Sequence, residues 1–252
     1  MTKRTVALFI CLAVIAVLLV LNGTVFVVKD VNVVDYYGQD VLDKQEIAEN
    51  SRLIGNNIFT VSEKVATENI EKLMPEVKVV EIVRSFPSSV KIVVHKRVSI
   101  LAVSHGENEY VILDRETRIV SIVDDLEEYD GITTVSGVEV INPTVGKDVE
   151  CTQNSAVRLS QIVRAFEEIG EQGYRDGNFC LVVENVTIIG DNVSIKMREG
   201  VELRFDASVD YFAKLHSLVS YYDAHEEQRT DGVLTIGELI APGEYQILKS
   251  NE

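Results

Sequence analysis

From Thr5 to Val28 the chain carries no charged residue, and the stretch is apolar apart from short polar positions such as Asn22-Gly23-Thr24, which precede Val25-Phe26-Val27-Val28. Roughly 20 apolar residues cross the hydrocarbon core of a bilayer, so the run predicts a single transmembrane helix over residues 5–28. A cleaved signal peptide has an apolar core of only ~7–15 residues and ends at a small-residue cleavage site. This run is longer and no Ala-x-Ala follows it, which favours an uncleaved anchor. Lys3 and Arg4 precede the run, whereas Lys29 is followed at once by Asp30. The positive-inside bias then places residues 1–4 in the cytoplasm as a short tail and the remainder outside.

Charge narrows the partners of that external part. The chain has 24 Lys+Arg against 40 Asp+Glu, an excess that argues against nucleic-acid binding, because duplex affinity rests on basic side chains neutralising phosphates. The excess suits a soluble, self-repelling surface. Of three cysteines, Cys11 lies in the apolar run, and Cys151 and Cys180 flank a helical pattern. A helix of about 16 residues separates its ends by roughly 24 Å, against the ~4.4–6.8 Å between Cα atoms of a disulfide. Pairing of Cys151 with Cys180 would require the chain to fold back.

The external part is larger than the commonest domain size, which predicts two domains, 29–98 and 99–252. Val31 and Val33 alternate around Asn32 as a short strand that turns at Gly38. Asp43 can cap a helix, with Glu46 placed as in a capping box and Leu42 able to staple to Ile47. A second helix starts at Ser62, carries Ala66, Ile70, Leu73 and Met74 on one stripe, and stops at Pro75. Val77 to Val83 is β-branched, Phe86-Pro87-Ser88 makes a turn, and Val90, Ile92 and Val94 alternate along a return strand. The predicted order is β-α-α-β-β.

Strand pairs dominate the second region. Tyr110 to Leu113 and Arg118 to Val123 read as strands, with the boundary loop before them at His105-Gly106-Glu107-Asn108. Asp124-Asp125-Leu126-Glu127-Glu128 lacks the ligand spacing and Gly bend of a hard-cation loop and reads as a solvated turn. Leu159, Ile162, Val163, Phe166 and Ile169 define an amphipathic helix that Gly170 and Gly173 close. Val193, Ile195 and Met197, then Val201, Leu203 and Phe205, alternate on either side of Glu199-Gly200, the strongest hairpin signal in the chain. A helix with Phe212, Leu215, Val219 and Tyr222 precedes two closing strands, Val233 to Ile236 and Tyr245 to Leu248. The fold class is therefore α+β: a single N-terminal transmembrane helix, a β-α-α-β-β domain, and a larger mixed sheet with helices packed on it.

Nothing in this pattern assembles a reaction centre. There is no phosphate-binding loop, nucleophile elbow, His-Glu-x-x-His helix or Cys-x-x-Cys pair. His95, His105, His216 and His225 are scattered, and His216 and His225, nine apart on one predicted helix, face different sides. Adjacent pairs such as Glu167-Glu168 and Glu226-Glu227 diverge on a helix and read as solvated faces. The sequence predicts no enzyme, no cofactor, no metal and no small-molecule substrate.

The first module resembles a POTRA domain, and the whole chain is similar to the FtsQ/DivIB family of bacterial cell-division proteins. Five ordered segments behind one anchor carry the likeness: Leu42 to Ile47, Gly55 to Val61, Leu73 to Val77, Arg84-Ser85-Phe86-Pro87, and Val94 to Arg97. It continues through Tyr110 to Asp114, Ile132 to Gly137, Arg198 to Leu203 and Lys214 to Leu218. The resemblance implies a non-catalytic, single-pass scaffold of the bacterial cell membrane at the division septum. Its implied partners are the coiled-coil proteins FtsL and DivIC (FtsB), and its role is in regulating septal peptidoglycan synthesis. By position, it implies a partner site on the late strand Val233, Leu234, Thr235, Ile236, Gly237, Glu238 and Leu239, beside Tyr211, Leu215 and Tyr222 of the last helix. An exposed sheet edge offers backbone groups to an incoming strand. POTRA domains also serve protein assembly and secretion systems, the alternative reading; those proteins carry a membrane barrel, for which the chain after Arg97 is too short and too often interrupted by helices.

Overall fold

The computed structural model of this protein describes residues 3–39, 41–106, 108–171 and 182–250. They divide into two compact units, Met1–Arg97 and Val98–Glu252.

The first unit opens with helix α1 (Lys3–Thr24), whose apolar side chains Ile10, Leu12, Val14, Ile15, Val17 and Val20 are exposed. Among the described residues no helix is long and apolar enough to cross a membrane, so the expected transmembrane helix over 5–28 has no structural support there. Strand β1 (Asp30–Asp35), helices α2 (Lys44–Asn50) and α3 (Glu63–Leu73), and strands β2 (Val77–Ser85) and β3 (Ser89–Lys96) follow. The order is β-α-α-β-β, with β3 central, parallel to β1 and antiparallel to β2.

Local chemistry sets these elements. Asp43 accepts from the backbone N–H groups of Gln45 and Glu46, and Ser62 Oγ from that of Val65, so each helix begins with two or one of its orphan donors satisfied. Ile47, Ile58, Ile70, Val77, Val90, Ile92 and Val94 are fully buried between the helices and the sheet, each worth roughly 1.5–3 kcal/mol of burial. The α3 stripe holds at Ala66, Ile70 and Met74, but Leu73 is 51% exposed, contrary to the sequence reading. The residue facing inward in this turn is Glu71, which is 6% exposed. Its Oε2 accepts from Arg97 Nη2 at 3.0 Å and its Oε1 from the Val79 amide at 3.0 Å. A charge can stand in that core because Arg97 and a backbone donor satisfy it together.

The second unit opens with a strand that the sequence reading did not assign. Strand β4 (Ser99–His105) directly follows Arg97 and pairs antiparallel with β5 (Glu109–Asp114), so the unassigned stretch is a strand and the His105 loop is its hairpin turn. Ile100, Leu101, Ala102 and Val103 are all buried, and a strand buried on both faces shows no alternation. Then come β6 (Ile119–Val123), a 3-10 turn at Glu127–Tyr129, β7 (Thr133–Ser136), α4 (Gln153–Glu171), β8 (Val183–Ile189), β9 (Asn192–Met197), β10 (Glu202–Asp206), α5 (Tyr211–Ala224), a second 3-10 turn at Glu226–Gln228, β11 (Val233–Ala241) and β12 (Glu244–Ser250). Helix α4 runs past Gly170; Gly173 and Cys180 lie outside the described residues, and with them the question of a Cys151–Cys180 pair.

Nine strands form one mixed sheet in the order β12-β11-β10-β9-β8-β7-β4-β5-β6. Leu159, Ile162, Val163 and Phe166 of α4 and Leu215, Leu218, Val219 and Tyr222 of α5 share one core with the sheet. A polar network lies across β7 to β10: Asn185 Nδ2 donates to Thr134 Oγ1 at 2.8 Å, Ser136 pairs with Thr187, and Ser194 with Glu202. Gly137 is required where it stands. It holds φ +83°, and a Cβ there would sit 1.8 Å from the Ile188 carbonyl oxygen.

Candidate functional site

A sheet of nine strands has two ends, and the two differ. At the β6 end the chain doubles back: Ile119 N–H donates to Lys147 O at 2.8 Å, Gly146 N–H to Ile119 O at 2.8 Å, and Val149 N–H to Thr117 O at 2.9 Å. Residues 144–149 thus cover the start of β6. At the other end stands β12, whose Glu244, Gln246, Leu248, Lys249 and Ser250 are exposed. Among the described residues no strand pairs with its outer side.

The structure therefore moves the edge. The expected partner strand, Val233 to Leu239, is β11, second from the end. Val233 and Leu234 are buried between β10 and β12, Thr235, Ile236 and Gly237 are half-buried, and Glu238 and Leu239 are exposed. Tyr211, Leu215 and Tyr222 of α5 are buried too, and they support the strands from within the core. The sequence showed two similar closing strands; which of them ends the sheet depends on ladder order, which has no local signal.

Register assigns the outward groups. Glu202 N–H donates to Gly232 O at 3.0 Å and β10 runs parallel to β11, so even-numbered β11 residues direct their backbone groups to β10 and odd-numbered ones to β12. The pairs Val233 with Ser250 and Thr235 with Leu248 are thereby the hydrogen-bonded ones. Leu248 and Ser250 point their backbone groups inward, and Tyr245 and Ile247 point theirs to the open side.

The β11–β12 hairpin reaches beyond the rest of the sheet. The β10–β11 ladder ends at Arg204 and Thr235, while β11 continues to Ala241 against β12 alone. Pro242-Gly243 turns the hairpin, with Gly243 at φ +78° as the second central residue of a type II turn requires. Leu239 and Ile240 near its tip are 59% and 70% exposed. A groove of ≈ 770 Å³ opens where the strands part, lined by Arg204, Asp206, Lys214, Ile236 and Gly237 among others.

One side-chain contact ties the hairpin to α5, and a second cluster closes the end of that helix. Tyr245 Oη donates to Asp210 Oδ2 at 2.9 Å, spending on β12 a carboxylate that stands at the N-cap of α5 without capping it. That bond to Asp210 raises the Tyr245 phenol above the ordinary tyrosine value. The buried Arg229 donates from Nε to Tyr222 O at 2.9 Å and from Nη2 to Asp223 O at 2.7 Å, satisfying carbonyls of the last turn of α5. Its guanidinium lies 4.9 Å from the Tyr222 ring centroid, and the Tyr222 hydroxyl donates to Glu199 Oε2 at 2.8 Å. Neither Asp210, Tyr245 nor Arg229 was expected from the sequence, because each contact joins segments that only the fold brings together.

Several other titratable groups make structural contacts. Arg204 binds both Glu202 oxygens and, with Ser194, holds that carboxyl below its usual value despite partial burial. Burial pushes the Tyr211 phenol well up, and its hydroxyl is buried with no hydrogen-bond partner. His216 stacks on Phe212 and His225 on Tyr221.

These features together describe a β-α-α-β-β module joined to a second unit whose prominent feature is an open strand edge. Residues 26–97 match the POTRA domain, FtsQ-type, so the first unit contains a POTRA domain. The match covers 72 of the chain's 252 residues and identifies the domain type; FtsQ-type POTRA proteins form a non-enzymatic scaffold family associated with cell division. No curated protein matches the chain.

Proposed function

We propose that this chain is a non-catalytic division scaffold that captures FtsL/DivIC (FtsB)-type coiled-coil proteins by strand addition on β12 and so helps regulate septal peptidoglycan synthesis. The observation that carries the reading is the open β12 edge, in a chain with an FtsQ-type POTRA domain. An incoming strand would bond to the outward groups of Tyr245 and Ile247, while exposed Glu238 and Leu239 at the hairpin tip offer side-chain contacts. Of the site expected from the sequence, Thr235 to Leu239 remain in reach of a partner; Tyr211, Leu215, Tyr222, Val233 and Leu234 act by shaping the edge.

The same proposal includes a single span by α1, with residues 1–4 in the cytoplasm and both units outside. Its support is the sequence alone: the uncharged, largely apolar run from Thr5 to Val28 behind Lys3 and Arg4.

The test is co-purification of the full chain with an FtsL/DivIC-type pair. Wild type is expected to hold the pair, and Ile247→Pro to release it by removing one outward donor, since proline is tolerated at edges with its nitrogen turned to solvent. Circular dichroism confirms that the variant is folded. Absence of a complex with the wild-type chain at micromolar concentrations contradicts the proposal.

A further inference from the structure

Three phenylalanine rings line up in the first unit, from Phe26, which packs against the core, outward to two that are largely exposed. Phe59 and Phe86 are 54% and 59% exposed, and Ile54 is 59% exposed. The Phe59 ring lies 5.0 Å from that of Phe26 and 5.4 Å from that of Phe86, measured between centroids, so three rings form one row.

The backbone shows where this row stands. Phe26 is two residues beyond Thr24, the end of α1. Its carbonyl accepts from Ile58 N–H at 2.8 Å, the Val28 carbonyl accepts from Gly55 N–H at 2.9 Å, and Lys29 N–H donates to Ser88 O at 2.8 Å. The 54–59 loop and the Phe86-Pro87-Ser88 turn are thus both tied to the short segment by which the chain leaves α1. Lys29, three residues after Phe26, and Arg52, two before Ile54, are exposed on the same short segments.

We propose that this aromatic row is a lipid-contact surface, seated at the headgroup and acyl boundary of the bilayer that α1 crosses. The inference rests on the single-span reading of α1. A chain that leaves a membrane at Thr24 keeps Phe26, and the loops bonded to it, within a few residues of the lipid surface. Exposed Phe side chains gain by burying their apolar rings at the headgroup and acyl boundary, and cations on the same segments add attraction to anionic headgroups. The row then holds the POTRA domain against the membrane by a second contact besides the tether itself.

The chain contains no tryptophan, so single tryptophans are clean probes. The full chain is reconstituted in phosphatidylethanolamine/phosphatidylglycerol vesicles carrying brominated acyl chains, as Phe59→Trp, Phe86→Trp, Val14→Trp or Tyr37→Trp. Tyr37 is 64% exposed and follows the far end of β1, about 20 Å of strand from Lys29. The proposal expects loss of emission from Val14→Trp with deep bromines, loss from Phe59→Trp and Phe86→Trp with shallow bromines, and none from Tyr37→Trp. Quenching at Val14→Trp while Phe59→Trp and Phe86→Trp stay as open to aqueous iodide as Tyr37→Trp overturns the lipid contact and leaves the span standing. Shielding of the two loop probes only after an FtsL/DivIC-type pair is added also overturns it and marks a protein interface instead. No quenching at Val14→Trp overturns the span and the lipid contact together.

Discussion

The two units differ most in charge. Residues 1–97 hold 12 Lys+Arg and 11 Asp+Glu, whereas residues 98–252 hold 12 and 29. The first unit is thus net +1 and the second net −17, so the chain's net negative charge lies wholly in the second unit. The near-neutral POTRA unit suits a place beside a lipid surface, and the acidic unit stays soluble and resists adventitious association. They differ also in how each is closed. The first has a three-stranded sheet with α2 and α3 over it and a buried ion pair in its core; the second relies on a wide sheet, leaves β12 open at one end and covers the start of β6 at the other. The contrast separates a compact placement module from a module built around an edge.

Substitutions can break or sharpen that division. Arg97→Ala leaves Glu71 buried without its guanidinium, and removal of one partner of such a pair costs roughly 3–5 kcal/mol. Hydrogen exchange should show lost protection across β2, β3 and α3 with β7 to β12 unchanged. A loss spread equally over both units would contradict their independence. In the second unit, Gly137→Ala forces a Cβ against the Ile188 carbonyl at positive φ and is expected to cost about 3 kcal/mol, read as a lowered urea midpoint for that unit alone. Arg229→Ala removes the charged donors at the end of α5, an expected loss of about 2 kcal/mol, with weakened protection concentrated in α5, β11 and β12.

A smaller effect is expected at the hairpin tether. The native Tyr245 phenol titrates above its ordinary value, so the stabilisation from its bond to Asp210 is complete below about pH 10. It is lost as pH rises through the raised native value. Absorbance titration at 295 nm should show late-titrating tyrosines, of which Tyr245→Phe removes one and leaves that of the buried Tyr211. The smallest effect is Tyr211→Phe: deleting a buried hydroxyl that has no partner should leave stability equal or raise it by up to about 1 kcal/mol, seen as an unchanged or higher urea midpoint.

Where a pattern is local, the sequence already shows it. Asp43 and Ser62 cap their helices, and the alternation Val193, Ile195, Met197 and Val201, Leu203, Phe205 becomes a hairpin whose six residues are buried. Where burial occurs on both faces the signal disappears, and β4 has no sequence assignment because Ile100 to Val103 do not alternate. Leu73 met the spacing of the α3 stripe yet lies exposed, because the position beside it serves Glu71 and its pairing with Arg97. The candidate site was legible only to within a hairpin. Val233 to Leu239 and Tyr245 to Leu248 look alike as strands, and the difference between second and last in the sheet comes from β10 pairing with β11, a contact of residues some thirty positions apart. Tyr245–Asp210 and Arg229–Tyr222 were hidden for the same reason.

The central claim is that β12 receives the partner, and residue-resolved hydrogen exchange of the full chain with and without an FtsL/DivIC-type pair tests it most directly. The account predicts that the Tyr245 and Ile247 amides slow on binding, while those of the POTRA unit and of β6 keep their rates. Protection gained in β1 to β3 or along β6, with Tyr245 and Ile247 unchanged, would contradict it.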